Sequence, residues 1–165
     1  MKTMFYFGYG SNINYKQMKQ RCPNAEAVGV AKLRGHRLIF RGVADVVPHR
    51  NGGAVMGVLW KITPRCLKAL DLYEGYPRLY GRRLCSVAVE EDGTLREALI
   101  YYMKTGDLAV PHREYWQAIM EGYEDFNMIP RRDMLEPNYG LGNARINYDT
   151  EGYYARLNQR QIDYD

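Results

Sequence analysis

Two short stretches carry residue types able to do chemistry. The first is Tyr6-Phe7-Gly8-Tyr9-Gly10-Ser11-Asn12, where an apolar, aromatic run gives way to a glycine turn and then to residues suited to a short helix. A strand feeding such a turn leaves backbone N–H groups with no partner inside the helix. Those donors and the positive end of the helix dipole suit an anionic group such as a carboxylate or phosphate. Gly8 and Gly10 allow close approach to the backbone, and Ser11 or Asn12 can act as N-cap or direct donor. The second stretch is Leu70-Asp71-Leu72-Tyr73-Glu74-Gly75, with Tyr76 and Tyr80 following. Glu74 falls in the last turn of a predicted helix, where the unpaired carbonyls oppose a negative charge. Shielding by Tyr73, Tyr76 and Tyr80 would disfavour its charged form further and raise its pKa. A carboxyl brought toward neutrality can take up a proton in one step and return it in the next. Taken singly, the two stretches also describe an ordinary strand-to-helix connection and a solvated helix-end glutamate.

The elements that must position these groups follow from hydrophobic pattern and turn chemistry. The opening strand leads into a helix over 13–21 that stops before Pro23. Val28 to Phe40 reads as a strand pair or one bent strand, with Gly29 and Gly35 marking a bulge or turn, and Val43 to Val47 as a further strand. His49-Arg50-Asn51-Gly52-Gly53 is turn chemistry, and Asn-Gly is the strongest hairpin signal in the chain. Ala54 to Ile62 is a nearly continuous apolar run, expected of a strand buried on both faces. Thr63-Pro64 is an N-cap followed by proline at the first helical position; the helix 64–74 turns Leu67 and Leu70 to the core and ends at Gly75. A hairpin over 82–104 turns at Asp92-Gly93. The last long helix, 112–126, carries Tyr115, Ile119, Gly122, Tyr123 and Phe126 at helical spacing. Strands bunched around hairpins with helices between them favour an α+β fold: a mainly antiparallel sheet that curls into a barrel. The expected domain is 1–137, followed by a polar, tyrosine-rich extension over 138–165 that packs on the domain or on a partner.

Composition narrows the function classes. The chain has 165 residues, enough for one domain with a substantial core. Its 15 tyrosines permit a pocket lined by ring faces and hydroxyls. The net charge is +4, but Lys and Arg are scattered among acidic residues, so nucleic-acid binding has little support. Three cysteines, Cys22, Cys66 and Cys85, lie far apart without a C-x-x-C pair, which fits reduced thiols in a cytoplasmic protein. His36, His49 and His112 show no metal-ligand spacing, so no metal is expected. The first ten residues do not read as a signal peptide, and no apolar run approaches the length of a membrane helix.

Together the two stretches resemble the γ-glutamylcyclotransferase-like family. Its Tyr-Gly-Ser-Asn turn after the first strand is matched by Tyr9 to Asn12, and its Leu-Asp-x-x-Glu-Gly segment by Leu70 to Gly75, about sixty residues on. Lesser matches are Ala44 to Pro48, Gly57 to Trp60, Tyr101 to Met103, and a Tyr seven residues before a Gly, Tyr115 and Gly122. The resemblance implies a small mixed barrel flanked by helices. It also implies an enzyme without a cofactor, in which the α-amino nitrogen of a γ-glutamyl compound attacks its own γ-carbonyl, giving 5-oxoproline and a free amine. On the matched positions, Glu74 is the acid/base, the backbone of Tyr6, Phe7, Gly8, Tyr9, Gly10 and Ser11 together with Asn12 holds the glutamyl group, and Tyr115 closes the pocket; Tyr80 and Tyr101 are further candidates. Asn12 makes glutathione a less expected substrate, since the glutathione-specific branch usually departs at that position. A small-molecule partner, with neither nucleic acid nor membrane, is expected, and a homodimer is left open. The alternative is a non-catalytic module of the same fold that holds an anionic metabolite.

Overall fold

A computed structural model describes residues 3–49 and 53–141. Seven strands and four α-helices follow in the order β1 (Met4–Gly8), α1 (Tyr15–Arg21), β2 (Glu26–Arg34), β3 (His36–Phe40), β4 (Ala44–Pro48), β5 (Ala54–Ile62), α2 (Pro64–Glu74), β6 (Tyr80–Val89), β7 (Leu95–Met103), α3 (Arg113–Asp125) and α4 (Arg132–Leu135). Five strands close a barrel in the order β1-β5-β2-β6-β7. Each neighbouring pair is antiparallel except β1 with β7, which meet in parallel at Tyr6 and Leu99, so the barrel is mixed. Closure leaves no strand edge for β1, and this fixes the start of the glycine turn rigidly.

The apolar run Ala54–Ile62 makes the strand between β1 and β2, and Gly57 to Trp60 are all buried. Gly57 has no room for a side chain: a Cβ there would lie 2.4 Å from the Gly8 carbonyl oxygen and 2.6 Å from the Phe7 ring. Phe7 thus fills the barrel beside the site rather than opening into it.

Helix α2 begins and ends where its caps dictate. The Thr63 hydroxyl accepts the Cys66 N–H at 3.2 Å, and Gly75 closes the helix in the left-handed conformation with φ 66°. Cys66 and Leu70 are its buried residues, and Glu74, four residues beyond Leu70, continues the same face of the helix. Helix α3 presents Ala118, Ile119, Gly122 and Tyr123 inward. At Gly122 it comes so close to the turn after β1 that a Cβ would lie 2.7 Å from Asn14 N and 2.8 Å from Ile13 C.

The structure departs from the sequence pattern at three places. The segment 13–21 is not one helix: a single 3-10 turn, Ser11–Ile13, precedes α1, and the cap of α1 is Asn14, whose side chain accepts the Gln17 N–H at 3.0 Å. Ser11 and Asn12 are free of capping duty because Asn14 meets the helix N-terminus instead. The second departure concerns Asn51-Gly52. The residues 50–52 lie outside the described ones, but the flanking strands β4 and β5 belong to different sheets, β4 pairing with β3 across Arg41-Gly42-Val43. Gly42, at φ 80°, takes the left-handed bend that this tighter hairpin requires. The third is α4, a short helix after Pro130 that the sequence pattern did not announce. Of the expected extension, only 138–141 is described. There Asn138 brackets the end of β3, accepting the Phe40 N–H at 2.8 Å and donating to the Phe40 carbonyl at 3.0 Å.

Candidate active site

The four residues Tyr9 to Asn12 tie the glycine turn to the barrel, to the β3–β4 ribbon and to helices α1, α2 and α3. Tyr9 donates its hydroxyl to the Tyr101 carbonyl on β7 at 2.6 Å. Gly10 lies where a Cβ would meet the Tyr115 hydroxyl at 3.0 Å and Ala44 at 3.2 Å, so α3 and the β3–β4 ribbon close tightly over the turn. Ser11 Oγ and the Tyr73 hydroxyl share a hydrogen bond at 3.1 Å, joining the turn to the last turn of α2. Asn12 is buried and its carboxamide is fully committed. Its Nδ2 donates to the Tyr6 hydroxyl at 2.8 Å and to Glu74 Oε1 at 3.2 Å, while its Oδ1 accepts from Arg21 at 2.7 Å. Its backbone carbonyl accepts the Trp60 indole N–H at 3.0 Å, which locks the residue from the barrel side.

Around this turn lies a cavity of about 200 Å³ lined by Tyr6, Tyr9, Gly10, Ser11, Asn12, Val43, Ala44, Tyr73, Glu74, Leu79, Tyr80, Tyr101 and Tyr115. Of the residues singled out in the sequence, Glu74, Tyr6, Tyr9, Gly10, Ser11, Asn12, Tyr80, Tyr101 and Tyr115 therefore share one space. Phe7 and Gly8 do not line it: Phe7 is wholly buried in the barrel, and Gly8 sits behind the turn, where a Cβ would strike the Asn12 carbonyl oxygen at 3.0 Å. Tyr73, expected to shield Glu74, lines it too, and so do Val43, Ala44 and Leu79, which were not assigned to the site. Ala44 is held between two tyrosines, its N–H donating to the Tyr115 hydroxyl at 3.0 Å and its carbonyl accepting from the Tyr80 hydroxyl at 2.8 Å. No spacing in the sequence pairs residue 44 with 80 and 115; that contact exists only once the β3–β4 ribbon folds back over the barrel.

Glu74 is half-buried, and burial raises its carboxyl from the ordinary 4.5 to about 7, with only the Arg21 charge pulling it back. The tyrosines around it, Tyr6, Tyr9, Tyr80 and Tyr115, are themselves pushed above their ordinary values, chiefly by burial, and so stay neutral. Tyr76, expected among the shielding residues, instead stacks against the Arg82 guanidinium at 4.3 Å and lies off the cavity lining. What sets the position of α2 is Asp71, which accepts the Tyr101 hydroxyl at 2.7 Å and pairs with Arg82. Asp71 thus pins the helix to β6 and β7 one turn before Glu74.

A mixed five-stranded barrel with helices packed around it is the framework of the γ-glutamyl cyclotransferase-like fold. The chain belongs to the family described as gamma-glutamyl cyclotransferase, AIG2-like, whose model matches residues 6–122. It is 28% identical over 155 residues to the human gamma-glutamylcyclotransferase and 27% identical over 155 residues to the one from Bos taurus, each match covering 83% of this chain and 81% of the relative. Among solved structures, a gamma-glutamyl cyclotransferase superposes with a TM-score of 0.73 at 24% identity, covering 94% of this chain and 99% of the other, a likeness of fold.

No cluster of His, Cys, Asp and Glu able to hold a metal occurs among the described residues. No helix among them is long and apolar enough to cross a membrane.

Proposed function

We propose that the protein is a γ-glutamyl cyclotransferase that releases 5-oxoproline and a free amine, with Glu74 as its acid/base. The observation that carries this reading is the approach of Glu74 to the glycine turn: a carboxyl raised to about 7 lies 3.2 Å from Asn12 in one cavity.

The reaction asks little of the protein because the nucleophile belongs to the substrate. Folding the glutamyl chain so that its α-nitrogen faces its γ-carbonyl supplies roughly 7–11 kcal/mol in a favourable intramolecular case. A cavity of about 200 Å³ walled by tyrosine rings suits one compact glutamyl group and imposes that fold. The ionised Glu74 accepts a proton from the α-ammonium, and the freed nitrogen lone pair forms the C–N bond at the γ-carbon. The carbonyl π electrons move onto oxygen, and the N–H groups of the Gly10–Asn12 turn are the donors for that oxyanion. When the carbonyl re-forms, the bond to the amine breaks and protonated Glu74 gives its proton to the departing nitrogen; the second proton of the ring nitrogen then leaves through the regenerated carboxylate to the freed amine, which departs as its ammonium. A group with a pKa near neutrality serves both halves of such a cycle. Tyr115, whose hydroxyl oxygen already accepts the Ala44 N–H, can give its own proton to a substrate oxygen.

The test is stoichiometric release of 5-oxoproline and amine by the purified chain across γ-glutamyl amino acids, γ-glutamyl amines and glutathione. Turnover of at least one compound, with equal amounts of the two products, is expected. Binding without any 5-oxoproline would overturn the reading in favour of a non-catalytic module of the same fold.

A further inference from the structure

Arg21, the last residue of α1, is fixed on three sides. One terminal nitrogen donates to Asn12 Oδ1 at 2.7 Å, the other to Gln17 Oε1 at 2.9 Å, and the guanidinium lies 3.7 Å over the Tyr73 ring. Gln17 stands one turn earlier on the same helix and Tyr73 immediately precedes Glu74, so the cation is braced between the two helices that flank the turn. It does not line the cavity, and the chemistry proposed above gives it no step.

Its grip on Asn12 has a directional consequence. A guanidinium offers only donors, so the carboxamide must turn its oxygen toward Arg21. The amide nitrogen then faces the other way, and its two protons fall to the Tyr6 hydroxyl and to Glu74. The reversed amide would set N–H against guanidinium and carbonyl against carboxylate, two repulsive contacts in place of three favourable ones. The groups facing Glu74 from the surrounding elements are the phenols Tyr6 and Tyr9 near β1, Tyr80 on β6 and Tyr115 on α3, all neutral, and the Arg21 cation from α1. A medium of buried phenols favours the protonated acid; a nearby cation favours the carboxylate.

We propose that Arg21 is a positioning residue for this site: it orients the Asn12 amide toward Glu74 and supplies the positive charge that keeps the carboxyl ready to act as a base. The proposal rests on the cyclotransferase reading, and it adds a residue that touches neither substrate nor reacting atoms. Lysine cannot replace arginine in both duties, because its single ammonium cannot hold Asn12 and Gln17 in a fixed fork while lying flat on Tyr73.

The experiment compares wild type, R21M and R21K in two ways: the pH dependence of kcat/KM for 5-oxoproline release, and the titration of the Glu74 carboxyl carbon by NMR, assigned with E74Q. In R21M the midpoint of Glu74 is expected to rise by about one pH unit, and kcat/KM at pH 7 to fall about tenfold with partial recovery at higher pH. In R21K the midpoint should stay near that of the wild type while kcat falls several-fold. A wild-type midpoint and a superimposable pH profile in R21M would overturn the proposal while leaving the cyclotransferase reading intact. If R21M does not fold, full kcat in R21K has the same force. If no γ-glutamyl compound is turned over by the wild type, it is the reading of the reaction that fails; the NMR titration still decides Arg21, an unchanged midpoint counting against it.

Discussion

Glu74 and Asp45 are both carboxyl groups withdrawn from water, within reach of the same tyrosines, and they are held in opposite ways. Asp45 is fully buried on β4. It accepts the Arg41 Nε at 2.8 Å, the Val46 N–H at 2.8 Å and the Met103 N–H at 3.0 Å, and Arg41 in turn donates to the Gly106 carbonyl. Burial pushes its carboxyl up, but a cation and two N–H groups pull against that shift. Glu74 has one amide donor and feels its nearest cation only across Asn12. A carboxylate with both oxygens held by a cation and backbone donors is a fastener between strands; one with spare acceptor capacity facing a cavity can exchange a proton. The same residue chemistry thus gives structure at one side of the cavity and reactivity at the other, and the partners decide which.

Breaking the fastener should cost the most. In D45N the Arg41 guanidinium stays buried without its counter-charge, and a loss of about 3–5 kcal/mol is expected in urea unfolding, the usual scale for removing one member of a buried pair. The matching change E74Q, compared at a pH where Glu74 is protonated in both states, should leave the unfolding midpoint within the range of ordinary surface substitutions, because no ion pair is broken. Equal destabilisation by the two would erase the contrast. A smaller effect is expected from G122A. Its new methyl would press on Asn14 N and Ile13 C, backbone atoms that cannot swing aside, so α3 must back away. A loss of about 1–3 kcal/mol is expected from such overpacking, read as a lower Tm, with turnover falling too because Tyr115 rides on the same helix.

The most specific effect is in pH. Because folding raises the Glu74 carboxyl from 4.5 to about 7, the folded protein binds more protons than the unfolded chain between those values. Stability contributed by this group therefore falls as pH rises through that window and is unaffected below it. The difference in unfolding free energy between wild type and E74Q should slope downward from about pH 4.5 to 7 and then level. An upward slope would mean that the folded state holds the Glu74 carboxyl below its unfolded value, the opposite of what burial does here.

Much of this was legible in the chain itself, and the limits are instructive. Local signals held wherever a single element decided the outcome: Thr63-Pro64 and Gly75 bound α2, the apolar run Ala54–Ile62 made the buried strand, and Asp92-Gly93 turned the β6–β7 hairpin. Asn51-Gly52 misled because the barrel recruits β5 to β1 and β2, and that tertiary pairing outweighs a local turn preference. Glu74 and the Tyr9–Asn12 turn stood out by residue type. Arg21 did not, since a basic residue in the last turn of a helix is what the helix dipole favours in any case. Its reach to Asn12 depends on the unanticipated 3-10 turn, which sets α1 a few residues later than expected. Ala44 and Val43 carry no side-chain chemistry at all; they enter the cavity wall because Tyr80 and Tyr115 clamp the backbone of residue 44.

The most direct test is the rate at which E74Q releases 5-oxoproline from whichever γ-glutamyl compound the wild type turns over, measured beside its affinity for that compound. Loss of an acid/base with binding retained predicts a rate lower by about 10²–10⁴-fold and a dissociation constant changed only slightly. Turnover equal to that of the wild type would contradict the assignment of Glu74 and, with it, the account of how this cavity works.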